Sequence, residues 1–163
     1  MTKKCLPDLS KVVEWSEYLA VQREDVAEMN SLYQEAREFL EFYEWCSEIK
    51  ESFIGMLYPG VVAVFLFKII PSRRDVGEWI WVIVGDLPPA YLTSDECPNP
   101  ATALDGYIGA MLEWIDAAQK GESVAQLIPV NVPATKENAN MLKTRLDILD
   151  GRILSEYQSD LKV

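Results

Sequence analysis

Residues 61–92 constrain this chain more than any other stretch. Two apolar runs, VVAVFLFKII and WIWVIVG, flank the short charged segment PSRRDVGE and are followed by DLPPAYL. In an extended strand alternate side chains point to opposite faces. Here both sets are apolar: Val62, Val64, Leu66 and Ile70 alternate with Val61, Ala63, Phe65, Phe67 and Ile69, with Lys68 the exception. The second run repeats the pattern, with Ile80, Val82 and Val84 on one face and Trp79, Trp81 and Ile83 on the other. A strand apolar on both faces must be covered on both. The connection is rich in turn-forming residues and short enough for an antiparallel hairpin. Arg73, Arg74 and Asp75 at its tip are expected in solvent. A hairpin over 61–85 is therefore the expected centre of the sheet.

Helical signals surround it. No proline occurs between Asp8 and Met56, and no glycine before Gly55. Charged and apolar residues recur there at helical spacing, which predicts a helical region over 8–58. A first helix capped by Asp8 or Ser10 would turn Val12, Trp15 and Leu19 inward, with a break near residues 23–25 or 29–31. A second would carry Leu32, Ala36, Phe39, Leu40, Tyr43 and Cys46 on one face. On that reading Glu41, Glu44, Glu48 and Glu51 share the opposite flank, relieved only by Arg37, with Phe42 and Trp45 beside them, expected to pack on the first helix or else to serve as aromatic anchors at an interface. Four like charges at this spacing cost an isolated helix about 0.2–0.5 kcal/mol per neighbouring pair. The flank is either a solvated face or a docking surface for something basic.

After the hairpin, Gly85 permits a backbone angle closed to other residues, Asp86 can bond nearby amides, and Pro88 and Pro89 forbid further ladder pairing on the way to Tyr91. Asn99 and Pro100 open a helix over 100–120 as cap and first residue, and Gly121 closes it. Leu104, Ile108, Met111, Ile115 and Ala118 form its apolar stripe. The segment QLIPVNV near Val130 is a candidate edge strand, where Pro129 is tolerable. A last helix over 135–158 carries Ala139, Leu142, Leu146, Leu149 and Ile153 as a seam that suits a neighbouring helix or a second copy of the chain. At 163 residues and 49% hydrophobic content, the chain has room for one domain with a sizeable core. The expected fold is a single α+β domain: a small antiparallel sheet built on the hairpin and covered by four or five helices.

Charge and chemistry narrow the function. There are 15 basic and 26 acidic side chains, and residues 8–51 alone hold 12 acids against 4 bases. So acidic a chain repels phosphate backbones and anionic membranes, and its field steers positive partners. Histidine is absent, which removes the commonest general base and imidazole metal ligands. Phosphate-cradling glycine loops and calcium loops are missing too. Cys97 lies in SDECPNP beside acids that would raise its pKa. No catalytic residue, metal or cofactor is expected. Cys5, Cys46 and Cys97 are too few and too far apart for a disulfide framework, and no secretory leader or 18-residue apolar run is seen, so a cytoplasmic protein is expected.

WIWVIVGDLPPAYL followed by NPATALDGYIGAMLEWIDAA resembles a family of small, uncharacterised bacterial proteins marked by a strand ending in Gly-Asp-Leu-Pro and a helix ending near Trp. The resemblance spans the central third to half of the chain. It matches Trp81, Gly85, Asp86, Pro88 and Tyr91 and implies no activity. In size, acidity and lack of catalytic groups the chain is also similar in character to bacterial immunity proteins, which neutralise toxins with basic clefts. The leading expectation is thus an acidic protein-binding module of the immunity or antitoxin type. Its partner site would be Glu41, Phe42, Glu44, Trp45, Glu48 and Glu51. The alternative is a small-ligand-binding protein or enzyme with a pocket near Asp86 and Tyr91.

Overall fold

The computed structural model describes residues 6–162. Five antiparallel strands form one sheet in chain order, β1 (Val13–Glu14), β2 (Cys46–Tyr58), β3 (Val62–Pro71), β4 (Trp79–Gly85) and β5 (Ala90–Thr93). Helices α1 (Trp15–Ala20) and α2 (Val26–Glu41) cover one face; α3 (Pro100–Lys120) and α4 (Lys136–Ile148) cover the other. The α+β class and the central hairpin are as the sequence implies. β3 and β4 pair from Val62 with Gly85 to Lys68 with Trp79.

Two-faced apolarity in the hairpin dictates the three layers. Val62, Val64, Leu66, Trp81 and Ile83 pack against Leu104, Tyr107, Met111, Trp114 and the α4 seam. Ala63, Phe65, Phe67, Ile80 and Val82 pack against Trp15, Met29, Ala36 and Leu40. Trp81 is fully buried, and its indole N–H donates to the Cys97 carbonyl at 2.7 Å, so its one polar group is satisfied.

The largest departure from the sequence reading is β2. Residues 46–58, expected as the end of a helical region over 8–58, form the longest strand described. Register shifts interrupt its pairing with β3 between Cys46 and Glu48, Ile49 and Glu51, and Ile54 and Met56. Each such bulge inserts one residue. Buried positions therefore fall at Cys46, Ile49, Ser52, Ile54 and Met56, a spacing of three and then two. The first part imitates a helical period, and that is why the sequence reads as helix. At the third bulge, a Cβ on Gly55 would stand 2.5 Å from Pro100 Cγ, so glycine is what lets the first turn of α3 sit on the strand.

Smaller corrections follow the same logic. Asp8 caps only a single 3-10 turn (Leu9–Lys11), after which β1 precedes α1. The break before α2 falls at 21–25, with Asp25 left-handed at φ 58°. Near Val130 no strand forms; Pro129 lacks the N–H a ladder needs, and the segment runs irregularly. The last helix stops at Ile148 and passes into a π turn (Leu149–Ile153) and 3-10 turns (Leu154–Tyr157, Asp160–Lys162). Its seam, Ala139, Leu142, Leu146, Leu149 and Ile153, is buried in the chain's own core. Cys46 and Cys97 are buried free thiols; Cys5 lies outside the described residues.

Candidate functional site

The end of α2 gathers the most unusual surface. Phe42 to Trp45 form the turn that hands the chain to β2, closed by Cys46 N–H donating to the Tyr43 carbonyl at 3.1 Å. Ser72 at the end of the hairpin pins it, its N–H donating to the Trp45 carbonyl and its hydroxyl to the Glu44 carbonyl. Tyr43 is the hub of a ring cluster: stacked on Trp45 at 5.1 Å, and edge-on to Tyr91 at 5.0 Å, Phe39 at 5.5 Å and Phe42 at 5.7 Å. These are favourable aromatic geometries. Phe42 is the outermost ring, 83% exposed, and does not pack on the first helix as the sequence reading expects, because it falls in the turn after α2.

The six residues expected to bind a partner do not share one helical flank. Glu41, Phe42, Glu44 and Trp45 cluster at the end of α2. Glu48 and Glu51 sit on β2, paired across from Ile70 and Lys68, and face the side of the sheet opposite α2. Arg37 donates to Glu41 at 2.9 Å and to the Tyr33 hydroxyl at 3.1 Å, and Tyr33 in turn bonds Ser52. Lys68 lies 3.8 Å from Glu51 and 5.5 Å from the centre of the Trp79 ring. Among the described residues no cation lies within 4.0 Å of Glu44 or Glu48.

Asp86 and Tyr91 occupy different concavities. Gly85, at φ 142°, turns the chain so that Asp86 N–H reaches the Val61 carbonyl at 3.1 Å. The Asp86 carboxylate accepts from Arg145 at 3.2 Å, and this pair borders two surface hollows of about 240 and 150 Å³. Asp86 thus faces a guanidinium and not a second carboxylate. The Pro88 carbonyl accepts from the buried Tyr107 hydroxyl at 2.7 Å, anchoring the loop on α3. Tyr91 instead lines a cavity of about 340 Å³ with Phe39, Tyr43, Pro89, Ala90 and residues 128–131. Its walls come from three distant segments, so no local motif announces them. Tyr43 and Phe39 read in the sequence simply as helix core.

The buried thiols are poor nucleophiles. Burial, together with Glu96 and Asp105, pushes the Cys97 thiol up to about 11, and burial raises Cys46 as well. Among the described residues no group of three or more Cys, Asp or Glu side chains is placed to hold a metal ion, and no helix is long and apolar enough to cross a membrane. Comparison of the chain with protein-family models, characterised proteins and solved structures finds no match.

Proposed function

We propose that this chain is an acidic protein-binding module of the immunity or antitoxin type, docking a basic partner on the end of α2. The observation that carries this reading is Phe42. A large ring held 83% exposed on a packed aromatic base, in the short segment that also carries Glu41 and Glu44, is a preformed anchor. Burying such a ring stabilises a complex by about 1.5–3 kcal/mol, and little ordering is lost because its base is rigid. Glu44 adds an uncommitted charge and Glu41 one already shared with Arg37. The excess of 12 acids over 4 bases in residues 8–51 supplies the long-range steering. Glu48 and Glu51, on the other face, contribute to that field but not to the contact.

The test is affinity capture from the native cell extract at low and high salt, using the wild type, Phe42→Ala, Glu44→Lys and Glu48→Lys. A partner with a basic surface should be retained at low salt and released as salt rises. Phe42→Ala and Glu44→Lys should each weaken it by about tenfold or more, the loss expected of a hot-spot residue, whereas Glu48→Lys should slow association only slightly. Retention of the same proteins by the Phe42→Ala, Glu44→Lys double variant would remove this surface from the account.

A further inference from the structure

The cavity beside Tyr91 is a second feature, independent of the docking surface although Tyr43 borders both. Phe39 and Tyr43 form one wall, Tyr91 a second, and Ile128, Val130 and Asn131 the third. None of the residues lining it carries a formal charge, in a chain of net charge -11. The two hollows on the other side of Pro88, by contrast, both contain Asp86 and Arg145.

Its polar groups are unspent. Tyr33 bonds Ser52, Tyr58 bonds Tyr157, and Tyr107 donates to the Pro88 carbonyl, whereas the Tyr18 hydroxyl, outside this cavity, is unpaired among the described residues. The hydroxyls of Tyr43 and Tyr91 and the side-chain amide of Asn131 have no hydrogen-bond partner among the described residues. Burial and the nearby Tyr91 raise the Tyr43 pKa, so this phenol keeps its proton and can donate. Two phenol donors call for an acceptor on whatever enters.

Each property limits the occupant. About 340 Å³ is the lower end of the range for small-molecule sites, roughly 300–1,000 Å³, which suits one or two rings. Aromatic walls favour a flat face. The chain's net charge of -11 repels an anion, and with no acid in the lining a cation would lose its water without a counter-charge. We propose that this cavity binds a neutral molecule of one or two rings carrying a hydrogen-bond acceptor, the ring lying among Phe39, Tyr43 and Tyr91 and the acceptor meeting the two phenols.

Three probes of similar size separate these terms: acetophenone has a ring and a carbonyl, ethylbenzene has the ring alone, and benzoate is anionic. Each is titrated into the 15N-labelled full chain and followed by amide shifts. Acetophenone should give saturable shifts centred on the lining amides, those of Phe39, Tyr43, Ala90, Tyr91, Ile128, Val130 and Asn131. It should bind about fivefold tighter than ethylbenzene, the value of one net hydrogen bond, and benzoate should not bind. The Tyr43→Phe, Tyr91→Phe double variant keeps the rings and should bring acetophenone down to the ethylbenzene level. Val130→Trp should fill the space and abolish all binding, with the remaining amide spectrum reporting that both variants are folded. Absence of saturable shifts, equal binding of benzoate, or an acetophenone preference that survives loss of both hydroxyls would each overturn the assignment. None of these readouts involves Phe42 or a protein partner, so the docking surface stands or falls separately.

Discussion

Gly85 stands at φ 142°, and a Cβ there would run into the Val61 carbonyl oxygen and stand 2.9 Å from Val62 Cα. Both obstacles are backbone, at the turn into β3 and its first residue, and cannot rotate aside. Gly85→Ala is therefore expected to lower stability by at least about 1–3 kcal/mol, the cost of one strained backbone position. Gly77→Ala, which meets open space at an ordinary backbone angle, should change little. Urea denaturation of the two variants makes the comparison. Asp86 belongs to the same turn, but its carboxylate takes Arg145, 59 residues on, and not the nearby amides the local sequence suggests; only its own amide is held locally, by the Val61 carbonyl.

At the scale of elements, α3 is the best-specified helix. Asn99 accepts from Thr102 N–H at 2.9 Å while Thr102 accepts from Asn99 N–H at 3.1 Å, and the Asn99 amide also donates to the Asp160 carbonyl at 2.9 Å. Asn99→Ala removes both the cap and the tie to the C-terminal turns, and should cost about 1–2 kcal/mol. Asn99→Asp restores the cap acceptor but not the donor, so its melting temperature should fall between those of Asn99→Ala and the wild type. These same elements show what the amino-acid pattern reveals. The hairpin is legible because its apolar runs are bounded by turn chemistry, and α3 because cap, stripe and Gly121 agree. β2 is not, since its bulges convert a strand's alternation into threes, and Glu41, Glu44, Glu48 and Glu51 then mimic a helix flank. The exposed aromatic turn is half legible: Phe42 and Trp45 stand out beside acids, but only the fold separates them from Glu48 and Glu51. Nothing local marks the cavity, because Tyr43, Tyr91 and Val130 meet only through tertiary packing.

For the molecule as a whole, burial makes several thiols and phenols resist losing a proton. Cys97 is raised to about 11 from an ordinary value near 9, chiefly by burial, and burial raises Tyr58 and Tyr107 well above the usual phenol range. A group whose pKa is raised on folding contributes stability in full below its unfolded value. As pH climbs past about 9 the unfolded chain sheds protons that the native chain still holds, so stability falls. The expected slope between pH 9 and 11 is up to about 1.4 kcal/mol per unit for the thiol alone, steepening above pH 10 as the phenols join. Urea midpoints across this range should show it, and Cys97→Ala should flatten the earlier part of the decline.

The order of the strands in space repeats their order along the chain, β1 through β5. From β2 onward each strand meets its neighbour after a connection of only a few residues, so the sheet can close like a zip from the β3–β4 turn outward without first bringing remote parts of the chain together. The helices before it and those after it then have separate faces to land on. Loss of one layer should leave an open apolar sheet face rather than a rearranged topology.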